Sequence, residues 1–294
     1  YNLENLFDTI NDVNKNDEAS PIMEIKFNRS EIYKKKVSNM ARVISQIGLE
    51  VTKRPPSIVG ICEVENRKVV EDLIDDEKLK SHNYGIVHYD SPDNRGIDVG
   101  MIYNKDVFTV KNSSSHDVFI TGNNSSKRRN TRDQLVVSGH LDGELMHFIV
   151  NHWPSRGADE TKRIAAAEVN NSIIDSLREK YENPKIITMG DFNDDPFDKS
   201  IKKILGAKKN VSDVEKNDMY NPFETILVDE GVGSNAYRDK WQLFDQIIMS
   251  KPFLDKNYKD YQLYKAGVFN KSFLINKKGK YKGYPYRSFS YGTF

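Results

Sequence analysis

The stretch Lys185-Ile186-Ile187-Thr188-Met189-Gly190-Asp191-Phe192-Asn193-Asp194-Asp195-Pro196-Phe197-Asp198 decides how the rest of the chain is read. Lys185 to Met189 is a short run rich in β-branched residues, broken by Gly190. Such a run reads as a buried strand of a packed sheet. The acidic cluster then falls at the strand's C-terminal end, where a tight turn lifts it out of the core. Residues two apart on extended chain point the same way. Asp191 and Asn193 are therefore expected on one face, with Phe192 turned back into the core. A carboxylate beside a carboxamide can hold a cation or take a proton from water while the amide donates to a phosphate oxygen. The competing reading is an acidic turn that caps a helix over 199–205.

The 294 residues include 37% hydrophobic and 30% charged side chains, and the charges nearly cancel at +1. That suffices for a sizeable core and excludes a whole-protein basic field for gripping nucleic acid. The single cysteine, Cys62, excludes an internal disulfide and a multi-cysteine metal site. No apolar run is long enough to span a membrane. The first residue is Tyr1, so a signal peptide upstream is compatible with the sequence.

The same pattern of an apolar strand closed by a polar group recurs. Asn2 lies between apolar neighbours in what reads as the end of a strand whose start is missing. Residues 31–48 form a helix with Val37, Met40, Ala41, Ile44 and Ile47 on one face. Lys34, Lys35 and Lys36 are assigned to its solvated side. Residues 57–62 form a buried strand followed by Glu63. A glutamate there is costly to bury unless it is paired or binds a cation, although it could also belong to a helix N-terminus. A helix over 68–79 follows, then a hairpin of 84–89 and 97–103 with Asp98 embedded in its second strand. Short strands are expected at 107–110 and 116–120. Lys127, Arg128, Arg129 and Arg132 make the densest basic run, a candidate phosphate-backbone contact.

A second hairpin, 135–140 with 145–151, turns on Asp142-Gly143 and ends in His152-Trp153-Pro154-Ser155-Arg156. Residues 161–181 are the clearest helix. Residues 206–222 read as a polar loop, and Asp245 lies inside an apolar strand. The tail from Asn257 alternates lysine with aromatics and carries one strand near 262–268. It reads as an irregular surface segment, with stacking on bases as the alternative. Strands alternating with helices and hairpins predict an α/β protein, two packed sheets whose strand ends converge on one rim.

Taken in order, YNLENLFD, ICEVENR, RGIDVGMIY, NHWPSR, GDFNDDP and FDQIIMS resemble the endonuclease/exonuclease/phosphatase superfamily over nearly the whole chain. The resemblance implies a single domain over 1–294, a four-layered α/β/β/α sandwich of two packed mixed sheets flanked by helices, in a bacterial member. It implies Mg²⁺-dependent hydrolysis of phosphate esters, with Mn²⁺ able to substitute. By position, Glu63 resembles the metal-binding glutamate and Asn2 the first-strand asparagine near the metal. Asp191 resembles the aspartate that orients or activates water, and Asn193 the phosphate-contacting asparagine. His152 resembles the histidine that hydrogen-bonds phosphate, and Asp245 the acid that orients a second histidine. Arg156 joins Arg128, Arg129 and Arg132 as a substrate-binding candidate.

Relatives of the deoxyribonuclease type buttress the phosphate histidine with an acid from a neighbouring strand. Asp98 is the nearest match, so a carboxylate oxygen within roughly 3.2 Å of His152 and an imidazole that stays protonated to higher pH are expected. The family ends in Ser-Asp-His, whereas no histidine follows His152, which reads as a fragment lacking its last strand. The expected activity is phosphodiester hydrolysis, with nucleic acid as the favoured substrate. A phosphomonoesterase or lipid or inositol-phosphate phosphoesterase is the alternative, and a non-catalytic binding module the second. The expected protein is a monomer without stable membrane insertion, secreted or periplasmic rather than cytoplasmic.

Overall fold

The computed structural model describes residues 1–12, 15–121, 128–257 and 259–288. Two mixed sheets lie face to face. The first has the order β1-β2-β4-β3, from β1 (Asn2–Leu6), β2 (Ile58–Val64), β3 (Tyr84–His88) and β4 (Asp98–Asn104). The second begins with β5 (Phe108–His116), and a small ladder of β6 (Ile120–Thr121) and β7 (Arg128–Arg129) lies outside it. It continues through β8 (Gln134–Leu141), β9 (Glu144–His152), β10 (Lys185–Asp191), β11 (Ala207–Lys208) and β12 (Met219–Tyr220). A separate hairpin, β13 (Asn235–Tyr237) and β14 (Lys240–Gln242), precedes β15 (Asp245–Ser250). The order of the second sheet is β11-β12-β15-β10-β9-β8-β5. The helices are α1 (Arg29–Gln46), α2 (Leu49–Thr52), α3 (Arg67–Ile74), α4 (Glu160–Lys180) and α5 (Phe223–Val228).

Alternation along the strands builds three apolar layers. Val59 and Ile61 of β2 pack with Val37, Met40 and Ile44 of α1 and Val69 and Leu73 of α3. Cys62 and Val99 face the other way and meet Val137, Phe148, Val150 and Met189 between the sheets. Val136, Ile149, Ile186 and Ile248 close the far side against Ala166, Ile173, Ile174 and Leu177 of α4. The result is the expected α/β/β/α sandwich.

Several local expectations are corrected. The strand expected at 107–110 runs on to His116 as the nine-residue edge strand β5, with a bulge between Val110 and Asn112, and of the strand expected at 116–120 only Ile120 enters another ladder, β6. The polar run Asn112–Ser115 of β5 hid this extension, because ladder bonds to β8 need only backbone groups. The polar stretch 206–222 supplies β11 and β12, which extend the sheet through backbone pairing. Residues 262–268 form no strand. Lys36 is not solvated but buried: its ammonium donates to Asn5 O at 3.2 Å and Ser288 O at 3.1 Å, and also to Glu4 O. Lys36 lies one helical turn from Tyr33 and Met40, on the face that periodicity had already marked as buried.

Candidate functional site

The two sheets bring their strand ends together at one rim. β9 and β10 run parallel, with His152 beside Asp191, and β15 runs antiparallel to β10, with Asp245 opposite Asp191. Gly190 makes the close approach possible. Its φ is +131°, and a Cβ there would stand 2.1 Å from Asn151 O. Only glycine fits. Phe192 then turns into the core and packs edge-on against Trp153, with ring centroids 4.7 Å apart.

Glu63 reaches the rim because β2 breaks its own alternation. Its φ is +60°, and the register with β4 shifts between Cys62 and Val64. After this bulge Val64, rather than residue 63, packs on the helix side with Ile61, so the Glu63 side chain is freed from the core. β1 bulges beside it, with Glu4 and Asn5 at φ +50° and +59°. The Lys36 ammonium gathers the carbonyls of both, and the Asn5 backbone N–H donates to Glu63 Oε2 at 2.8 Å.

Asp191 is held from both sides: Asn2 Nδ2 donates to Oδ2 at 3.0 Å, across the two sheets, and the Asn193 N–H donates to Oδ1 at 2.9 Å. Burial, then the charge of Asp245, and more weakly that of Glu63, push its carboxyl up to about 7. His152 Nε2 lies 3.7 Å from Glu63 Oε1 and 3.9 Å from Asp191 Oδ2. Asp245 Oδ2 accepts from Ser234 Oγ at 2.7 Å, while its buried Oδ1 has no hydrogen-bond partner among the described residues. Asn2, Glu63, His152, Asp191 and Asp245 thus share one rim. Asn193 stands there as well, but its Nδ2 donates to Trp153 O at 3.0 Å.

The other expected residues have different partners. Asp98 does not meet His152. Its Oδ2 faces His88 Nε2 at 3.2 Å and its Oδ1 accepts from the Ser91 N–H at 2.7 Å. The acid was embedded in a strand, as read, but the strand belongs to the first sheet and its partner came from the adjacent β3. Nor is His152 held protonated. Burial, then the positive charges of Arg132 and Arg95, hold its pKa well below the ordinary value. Arg132 is buried and donates to His152 O at 3.1 Å and Trp153 O at 2.5 Å, with Asp93 Oδ2 at 3.3 Å. It fastens the turn after β9 rather than facing a substrate. Arg156 is engaged by Asp195 and Asp198, each at 2.7 Å. Arg128 pairs with Asp117, Arg129 is exposed, and Lys127 lies outside the described residues.

Sequence reading missed the support beneath the rim. Asn151 Oδ1 accepts from Trp153 Nε1 at 3.0 Å and from Asn170 Nδ2 at 2.8 Å, while its Nδ2 donates to Thr188 Oγ1 at 2.7 Å. Asn170 lies on the buried face of α4, where an asparagine amid apolar positions was the available signal.

The arrangement has the donors of a divalent-cation site. Glu63 and Asp191 both face His152 Nε2, Asp245 stands opposite Asp191, and the buried Asp245 Oδ1 has no hydrogen-bond partner among the described residues. Oxygen donors of this kind suit a hard cation.

Fold and rim together define a phosphoesterase-type α/β/β/α sandwich. A profile of the Endonuclease/Exonuclease/phosphatase family matches residues 1–294, and the chain belongs to that family. Its members act on phosphate esters and generally depend on divalent metal. No curated protein matches the chain. Among solved structures it is similar to a truncated TDP2 of Caenorhabditis elegans, with 16% identity over 77% of this chain and 79% of that one and a TM-score of 0.52. ANGEL2, described as a 2',3'-cyclic phosphatase, is 12% identical over 78% and 75%, also with a TM-score of 0.52. An endonuclease/exonuclease/phosphatase from Bacteroides vulgatus is 16% identical over 73% and 78%, with a TM-score of 0.50. At these identities the likeness is one of fold. No described helix is long and apolar enough to cross a membrane.

Proposed function

We propose that this chain is a Mg²⁺- or Mn²⁺-dependent hydrolase of phosphodiester bonds, with nucleic acid as its substrate class. The observation that carries this reading is the placement of Glu63 and Asp191 on either side of His152 Nε2, at 3.7 and 3.9 Å, with Asp245 opposite Asp191 on the neighbouring strand. Glu63 and Asp191 would hold the cation, with Asn2 orienting Asp191. When bound, the cation neutralises charge that builds on the phosphate oxygens.

The chain's own groups supply the rest. A neutral imidazole carries one N–H, and His152 Nδ1 is buried with no hydrogen-bond partner among the described residues. The tautomer that costs least puts the proton on Nε2, at the rim, where it can donate to a phosphate oxygen. The Asn2 and Asn193 contacts hold Asp191 in one orientation while leaving lone pairs to receive a proton from water. The Arg132 bonds to the His152 and Trp153 carbonyls keep the histidine in place.

Plasmid DNA, bis-(p-nitrophenyl) phosphate and p-nitrophenyl phosphate, each with and without EDTA, test the reading. Diester turnover abolished by EDTA and restored by Mg²⁺ is expected. Metal-independent turnover, or none on any ester, overturns it, and faster turnover of the monoester assigns the site to a phosphomonoesterase.

A further inference from the structure

Beside the rim lies a ledge of aromatic rings, two exposed and the middle one half-buried. Trp241 of β14 is 41% exposed, and its ring centroid is 6.3 Å from that of Tyr284. Tyr284 is 5.9 Å from Tyr281, which is 57% exposed. The stretch is pinned in place. The Asp239 N–H in the hairpin turn donates to the Tyr284 hydroxyl at 2.8 Å, and that hydroxyl also bonds the Asp239 carboxylate. Arg287 reaches Asn235 Oδ1 at 3.5 Å.

The ledge is joined to the site at both ends. Ser234, at the start of the hairpin, donates to Asp245. At the other end Ser288 Oγ donates to Glu4 Oε2 at 2.9 Å, and Arg287 pairs with Glu4, two residues from Asn2.

Its charge is unlike that of the molecule. Residues 277–288 carry Lys277, Lys278, Lys280, Lys282 and Arg287 and no acid, and the hairpin adds Arg238 and Lys240 against Asp239. The whole chain nets only +1. Apolar docking alone needs no such excess, and a duplex hides its ring faces. Rings interleaved with cations suit unpaired bases on a polyanionic backbone.

We infer that the Trp241–Tyr284–Tyr281 ledge binds a single-stranded nucleic-acid segment, stacking its bases next to the scissile phosphate. The inference rests on the phosphodiesterase reading and assigns its substrate form.

Two readouts test it. Trp153 is buried and Trp241 exposed, so in EDTA the fluorescence quenched on titrating oligo(dT) or oligo(U) reports Trp241. Quenching by the single strands and not by duplex of equal length is expected, and the DNA and RNA arms show which backbone the ledge prefers. With metal, Trp241→Leu/Tyr281→Leu should raise KM for the oligonucleotide at least fivefold with kcat unchanged. Trp241→Phe should restore KM, and turnover of bis-(p-nitrophenyl) phosphate should not move. Lys280→Gln/Lys282→Gln should flatten the salt dependence of binding by roughly 0.7 per lost contact. Unchanged oligonucleotide KM in the double leucine variant, or equal quenching by duplex, overturns the ledge while leaving the phosphoesterase intact. Absence of metal-dependent turnover on the small diester fails the phosphoesterase reading instead, and the EDTA titration still decides the ledge.

Discussion

Asp191 and Asp245 stand directly opposite each other in the antiparallel pairing of β10 and β15. Like charges in this position destabilise a sheet, and with Glu63 nearby they push the Asp191 carboxyl up to about 7, after burial itself. A cation removes that repulsion. Mg²⁺ should therefore raise the melting temperature, by the equivalent of about 2.7 kcal/mol at a hundredfold excess over Kd. Glu63→Gln should keep the fold, because the glutamine oxygen can still accept from Asn5 N–H, and should lose the shift. An undiminished shift in the variant returns Glu63 to a purely structural role.

Gly190 admits no side chain. The backbone of β9 is 2.1 Å from where a Cβ would sit, at a φ of +131°. Gly190→Ala should cost about 3 kcal/mol or more in urea unfolding, from overpacking and backbone strain together. A cost below about 1 kcal/mol would mean that β9 and β10 part easily and that the rim is not rigid.

Arg132 holds two carbonyls of the turn after β9. Arg132→Lys should destabilise the protein by about 2 kcal/mol, since buried acceptors lose their donors. The salt dependence of nucleic-acid affinity should stay unchanged. A slope reduced by about 0.7 to 0.9 would identify Arg132 as a phosphate contact after all.

His147 is buried, with Ser138 Oγ at 2.7 Å from its Nδ1 and Tyr181 packed at 4.7 Å. Burial, then Lys180 and Lys111, lower its pKa from 6.5 to about 4. The unfolded chain therefore binds the proton more readily. The stability contributed by neutral His147 is fully present above pH 6.5 and is lost as pH falls to about 4. His147→Gln should flatten the urea midpoint across that window, and an equally steep profile in the variant would place the acid sensitivity elsewhere.

The layered α/β architecture is legible in one dimension, because strand and helix periodicities are local. That Glu63, His152 and Asp191 close apolar runs is likewise visible in one dimension, whereas Asn2, read at the end of a strand, and Asp245, read inside one, each open a strand of the folded chain. Partners were another matter. Asp98 and His152 both looked as if they needed one, but which side chain meets which depends on sheet order. β4 lies beside β3, and so Asp98 took His88. Lys36 reads as solvated and Arg132 as a phosphate contact, each within a basic run, yet each enters the core to satisfy carbonyls that bulges and turns leave unpaired. Strands β11 and β12 were hidden in a polar stretch because backbone pairing at a sheet edge asks little of side chains. Residue type announces that a charge or a carbonyl must be satisfied, but only the folded chain brings the group that satisfies it, since that group comes from far along the sequence.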